Sequence, residues 1–394
     1  MSSLIDRLGA GPPGRRQMGF LGFLRRFDVV LLATTLTLTC VGLVMIYSAT
    51  RTAEPGNPTY YVKRQAVFAV LAALTLLVTM LVDYRRIEEW AWVIYGLSIA
   101  ALIGVRVIGT PGSLGAQREI NLGVLSIQPS EFAVLALIIA VAQYLHHREA
   151  GLSPKVLVRL LLLCALPMGL VYLQPDLGTT MIMAIVVFGL LLMAGFRLRL
   201  LIAIAVVVVG GFLFAVNVHI LHGYQLERIT GFLHQPAPGD CFSLSAAQQS
   251  DCYQLAQSKI AIGAGGLTGT GLFKGAETSY EFVPYAYADF IFSAIGEQLG
   301  FLGEVVILGL YSLLCFRVVR AMQLARDSFG RLVCGGALMF AAFSVFQNVG
   351  MTIGIMPITG IPLPFISYGG SALFAMYAAV GLVMNVELRR GGVR

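Results

Sequence analysis

The 394-residue chain predicts an all-α polytopic membrane protein, with about ten transmembrane helices and a long extracytoplasmic loop between the seventh and eighth. Three observations carry this. Only 12% of the residues are charged and 57% are hydrophobic, whereas a typical water-soluble domain is about 25% charged. Apolar runs of about 20 residues, long enough to cross a bilayer, recur along the chain. The basic residues divide unevenly between the two sides that those runs define.

The runs lie at roughly 28–48, 66–82, 90–109, 131–146, 156–173, 177–195, 200–217, 289–316, 332–356 and 365–386. The first is too long for the apolar part of a signal peptide, and no small-residue cleavage site follows it. It is read as a span. This gives a tail over 1–27, one transmembrane domain over 28–388 and a short tail over 389–394. With the N-terminus inside, 19 of the 27 basic residues fall in inner segments. The positive-inside rule then places both termini in the cytoplasm. The net charge of +7 is thus a topology signal, and no nucleic-acid patch accompanies it.

Most connections are short; residues 218–288 are the exception, and loops this long are usually functional or disordered. The front half, "HQPAPGDCFSLSAAQQSDC", is polar. The back half, "YQLAQSKIAIGAGGLTGTGLFKGAE", has helical apolar periodicity and then many glycines. An amphipathic segment followed by glycine-rich turns is expected at the membrane face. The glycine spacing fits neither G-x-G-x-x-G nor G-x-x-x-x-G-K-[ST], so a phosphate cradle of those kinds is disfavoured. Among six cysteines, Cys40, Cys164, Cys315 and Cys334 lie in or near spans and read as packing residues. Cys241 and Cys252, with ten residues between them in the outer loop, are expected to form a disulfide. Their long spacing, with only His234 nearby, argues against a metal site.

Ionisable residues at membrane depth are costly and usually face a cavity. Here Glu131, Asp176 and Asp289 fall at the outer ends of spans, with Lys63, Arg64, Arg118, Arg228 and Lys259 on the same side. Singly, each has a plainer explanation. Asp176 and Asp289 could cap the helices that follow them, and the cations could anchor helix ends. Together, below a long loop, they point to a polar cavity for an anionic, membrane-embedded ligand. "MPITGIPLPFISYGGSA", residues 356–372, adds three prolines and three glycines between the last two spans. Such a loop can dip into the protein where it is buried or lines a cavity. Ser367, Tyr368 and the backbone at Gly369 and Gly370 would then offer donors to a ligand.

Five stretches together resemble a known family: "GLVMIYSA" (42–49), "IQPSEFA" (127–133), "QPDLGT" (174–179), "QSKIAIGAGGLTGTGL" (257–272) with "FVPYAYADFIFSAIGEQLGFLG" (282–303), and "NVGMTIGIMPITGIPLPFISYGGSA" (348–372). The chain is similar to the SEDS family of polytopic cell-wall proteins, and "TGIPLPFISYGG" and "ARDSFGRL" look closer to its elongation branch than to its division branch. The resemblance implies a peptidoglycan glycosyltransferase that polymerises lipid II at the outer face of the bacterial cytoplasmic (inner) membrane. It also implies a class B penicillin-binding protein as transpeptidase partner. The family's essential acidic residue falls on Asp289. Lys63, Arg118, Gln128, Glu131 and Asp176 fall on other polar positions of the family. Tyr285, Tyr287 and Ala288 stand where the family usually has Glu, His and Thr, Glu119 where it has Trp, and Val134 where it has Lys.

That reaction needs a sugar 4-hydroxyl to attack an anomeric carbon bearing a lipid pyrophosphate. A hydroxyl is a poor nucleophile, so a positioned carboxylate acting as general base is the natural device. Inversion needs that base and no enzyme nucleophile. The departing pyrophosphate needs positive charge, from Lys63, Arg118, Arg228 and Lys259 or from a divalent cation such as Mg or Mn; the sequence does not rank these. A lipid II flippase is one alternative, but the short inner loops carry no second cluster of carboxylates for access from that side. A non-catalytic scaffold for a penicillin-binding protein is another, and the departures near Asp289 favour it.

Overall fold

The computed structural model describes residues 27–52, 57–111, 117–121, 123, 126–147, 153–204, 206, 210, 241, 246–280 and 282–390. In order, the long helices are α1 (Val29–Thr50), α2 (Tyr60–Leu81), then the short α3 (Tyr84–Glu89), α4 (Ala91–Ile108), α5 (Pro129–His146), α6 (Pro154–Tyr172) and α7 (Leu177–Met193). After them come α8 (Ala246–Gly265), the single turn α9 (Ala276–Ser279), α10 (Ile291–Leu324), α11 (Ser328–Ile353) and α12 (Gly370–Leu388). Among the described residues eight helices are long and apolar enough to cross a membrane, and the 17-residue α7 is a shorter apolar helix. The chain is a polytopic helical membrane protein. Of the seventh run, residues 200–204 continue a helix that begins at 198, and most of the remainder lies outside the described residues.

Helix starts follow capping chemistry. Asp28 accepts from Leu31 N at 2.9 Å, Ser153 caps α6, and Asp327 accepts from Gly330 N at 2.8 Å. Each satisfies a first-turn N–H that would otherwise be orphaned. Helices α5 and α12 are buried along most of their length, whereas α2, α4 and α6 turn most of their apolar surface outward, as lipid-facing helices do. Small residues let segments approach closely: a β-carbon on Gly42 of α1 would lie 2.6 Å from the Ile366 carbonyl oxygen of the loop before α12, and one on Gly381 of α12 would overlap Thr79 of α2.

Two features add to the expected all-helical plan. The α4–α5 connection carries a small antiparallel sheet, β1 (Thr110–Pro111), β2 (Gln117–Asn121) and β3 (Ser126–Ile127), in that order. Its register pairs Thr110 with Glu119 and Ile120 with Ile127. Strands this short show no alternating run in the sequence. The eighth span is also broken: Gly300 has φ 67° and ψ −173° inside α10.

That break explains the glycine-rich loop. Residues 266–271 run through it backbone to backbone. Phe301 N donates to Gly266 O at 2.9 Å and Leu302 N to Leu267 O at 3.1 Å, while Thr270 N and Gly271 N donate to Glu297 O and Gln298 O at 2.9 and 3.1 Å. The amides and carbonyls freed by the break are thereby satisfied away from water. Gly269, with φ 81°, and Gly300 would each drive a β-carbon into the other segment's backbone. Buried Glu297 caps α9, accepting from Glu277 N at 2.8 Å and Thr278 N at 2.9 Å. Cys241 and Cys252 are bonded, with Cα atoms 5.7 Å apart. Within the long loop, residues 218–240 and 242–245 lie outside the described residues.

Candidate functional site

At the end of the bundle where α8, α9 and the 354–369 loop gather, residues 283–290 form a run of turns leading into α10. Val283, Ala286 and Phe290 are buried against Ala49 of α1 and Ala261 of α8. Tyr287, Ala288 and Asp289 are left only partly buried. The helix begins at Ile291 with Phe290 as its N-cap, so Asp289 lies one residue outside the capping position.

Three successive main-chain carbonyls of this turn are held by the 354–369 loop and by α11. Tyr368 N donates to Tyr287 O at 3.0 Å, Ser367 Oγ to Ala288 O at 2.6 Å, and Asn348 Nδ2 to Asp289 O at 2.8 Å. Asn348 spends its second amide proton on Ile361 O at 2.7 Å. Its neighbour Gln347 donates to Pro357 O and Thr359 Oγ1 at 3.0 and 3.1 Å. Buried Gln65 of α2 donates to Ser367 O and accepts from Gly369 N, both at 3.2 Å. Gly360, at φ 73°, brings the loop so close that a β-carbon there would lie 3.4 Å from Asp289 Oδ2. Tyr285 and Phe365 flank the site with φ of 56° and 68°. Left-handed backbone at a bulky residue is costly and concentrates at functional sites.

A second cluster lies alongside. Asp176 is the N-cap of α7, accepting from Thr179 N at 3.0 Å through Oδ1. Its Oδ2 accepts from Ser130 Oγ at 3.1 Å and Gln128 Nε2 at 3.2 Å. Glu131 is buried beside it. Arg118 of β2 donates through Nε to Gln174 O at 2.9 Å and through Nη2 to Pro175 O, fastening the sheet to the end of α6. Ser371, in the first turn of α12, holds the 126–128 segment, accepting from Gln128 N at 2.9 Å and donating to Ser126 O at 3.1 Å.

The sequence-based candidates therefore separate. Asp289 and Ser367 fall in the first cluster; Gln128, Glu131, Asp176 and Arg118 fall in the second. Lys63 is exposed on the first turn of α2, and Lys259 is exposed on α8. Arg228 lies outside the described residues. Ser367 was expected to offer a donor to a ligand, but its single proton goes to Ala288 O while Leu363 N donates to it at 2.7 Å. It shapes the turn. Gln65, Gln347 and Asn348 were missed, although amide side chains inside or beside apolar runs were a readable signal.

The phenols of Tyr287 and Tyr368 stay protonated. Burial pushes Tyr287 well above the ordinary phenol range, and neighbouring Tyr61 adds to this. Burial also raises Tyr368, against the pull of Arg64. Among the described residues no three His, Cys, Asp or Glu side chains group to hold a metal ion.

The profile of the FtsW/RodA/SpoVE family, described as cell cycle protein, matches residues 28–391. The chain is 35% identical over 365 residues to peptidoglycan glycosyltransferase MrdB of Escherichia coli K12, covering 92% of this chain and 95% of that one. It is 35% identical over 375 residues to the probable peptidoglycan glycosyltransferase FtsW of Trichlorobacter lovleyi, covering 92% and 94%. Among solved structures, a chain from a peptidoglycan synthase complex that coordinates polymerization and crosslinking superposes with a TM-score of 0.75 at 29% identity, covering 92% of this chain and 97% of that one. The crystal structure of the rod shape determining protein RodA of Thermus thermophilus gives a TM-score of 0.67 at 28% identity, covering 92% and 97%. With its full transmembrane domain matched and its motifs in order, the chain belongs to the FtsW/RodA/SpoVE family.

Proposed function

We propose that the protein is a peptidoglycan glycosyltransferase that polymerises lipid II at the outer face of the cytoplasmic membrane, with Asp289 as general base. The observation that carries this is the Asp289 turn. Its carboxylate lies beyond the helix cap, and the carbonyls of Tyr287, Ala288 and Asp289 are each fixed by a hydrogen bond. Three main-chain anchors for a three-residue turn give the preorganisation that general-base catalysis needs. The names of similar proteins, peptidoglycan glycosyltransferases of both branches, support the substrate class.

In this reading the lipid tail stays in the bilayer while the sugars reach the loop end of the bundle. Asp289 takes the proton from the acceptor 4-hydroxyl as its oxygen attacks the donor anomeric carbon. The configuration inverts and the lipid pyrophosphate leaves. Lys63, exposed on the first turn of α2, is the proposed partner for its charge, with Lys259 a second candidate. The basic asymmetry supports cytoplasmic termini and an outward-facing site. "TGIPLPFISYGG" and "ARDSFGRL" support a role in elongation. A class B penicillin-binding protein is the proposed partner, in keeping with the synthase complex that the chain resembles. The test is polymerisation of lipid II by the purified full chain, with and without that partner. Glycan polymer from the chain is the expected result. Translocation of lipid II without polymer would make it a flippase, and neither activity would make it a scaffold.

A further inference from the structure

Aromatic side chains at a membrane surface ordinarily anchor helices among lipid headgroups. Three tyrosines beside Asp289 are arranged otherwise. Tyr61 of α2 meets Tyr287 with ring centroids 5.0 Å apart and Tyr368 at 5.4 Å, and Tyr287 meets Tyr368 at 5.7 Å. Each ring touches the other two, edge-on or tilted, and all three remain partly exposed. The trio is locked to the catalytic turn, because Tyr368 N donates to Tyr287 O at 3.0 Å. Tyr287 is also only two residues from Asp289.

Positive charge borders the same wall. Arg64 sits by the Tyr368 hydroxyl and 5.6 Å over the Phe68 ring, with Lys63 exposed next to it. A pyranose has a C–H face that packs on aromatic rings and a rim of hydroxyls that bonds to phenols. Tyrosine suits such a boundary because its body is apolar and its tip is polar. A pyrophosphate attached to that sugar would fall toward Arg64 and Lys63. We propose that Tyr61, Tyr287 and Tyr368 form the wall on which the pyrophosphate-bearing sugar is laid for reaction beside Asp289, with Tyr287 a specificity-determining residue. This rests on the glycosyltransferase reading. Burial raises the phenols of Tyr287 and Tyr368, so these two rings stay neutral through the working range.

The test compares binding and turnover by the full chain in lipid nanodiscs, with lipid II and with undecaprenyl pyrophosphate, which lacks the sugar. Tyr287→Leu should weaken lipid II binding about tenfold or more, as expected for losing a well-packed ring. It should leave undecaprenyl pyrophosphate binding and thermal stability unchanged, and raise KM far more than it lowers kcat. Tyr287→Phe should keep most of the lipid II affinity. Equal losses for both ligands, no loss for either, or a fall in thermal stability that tracks the loss of binding would overturn the wall. If wild-type protein binds lipid II without polymerising it, the proposed activity falls and the two-ligand comparison still decides the wall. If it binds no lipid II, both fall.

Discussion

Asp176 and Asp289 look alike in the sequence, each a lone carboxylate just before an apolar run. In the structure they differ. Asp176 caps α7 with one oxygen and accepts from Ser130 and Gln128 with the other. Asp289 lies outside the cap of α10, on a turn whose own carbonyls are tied down by Asn348, Ser367 and Tyr368. In one case the side chain holds the backbone; in the other the surroundings hold the backbone for the side chain. Under the proposed function, the first carboxylate is structural and the second chemical, and the difference lies in which of the two is being restrained.

This contrast can be broken first from beneath. The turn rides on the upper part of α10, which depends on the glycine loop threaded through its break. Gly269→Ala places a β-carbon against the Gln298 carbonyl at φ 81°. Left-handed backbone and overlap together should cost about 3 kcal/mol or more. Failure of the variant to accumulate in membranes, read by immunoblot, is the expected outcome, although no polar group has been touched.

A smaller effect comes from loosening the turn itself. Asn348→Leu leaves the Asp289 and Ile361 carbonyls without their donor, and each unsatisfied buried acceptor costs about 1–3 kcal/mol. Misplacing a catalytic group by about 1 Å can cost about 10²-fold in rate. Polymerisation should therefore fall by about that factor while the melting midpoint drops only modestly. Smaller still, Asp176→Ala should lower stability by about 0.5–2 kcal/mol, the usual cost of a lost cap, and Asp176→Asn by less. A melting curve with the partner absent reads both.

Much of this was legible in the chain. Apolar runs gave the spans because lipid demands that every backbone group be satisfied within a helix. The convergence of Asp289 with the Pro- and Gly-rich 356–372 stretch was visible as polar groups where lipid should be. The sheet of β1–β3 was not, since its two outer strands have two residues each and the five-residue "QREIN" between them shows no alternation of apolar and polar residues. Nor was the division of labour between Arg118, committed to Gln174 O and Pro175 O, and Lys63, exposed on α2. Charge and spacing alone cannot show which cation is already spent on a carbonyl. The glycine loop was read correctly as turns, but its partner, the break at Gly300, is a long-range pairing that no local pattern announces.

The most direct measurement sets Asp289→Asn beside Asp176→Asn in one assay of lipid II polymerisation, with thermal stability recorded for each. Removing a positioned general base typically costs about 10²–10⁴-fold in rate, whereas Asn caps a helix nearly as well as Asp. The Asp289 variant should lose that much polymerisation at wild-type stability, and the Asp176 variant should keep most of it. Near-normal polymer from Asp289→Asn would contradict the account.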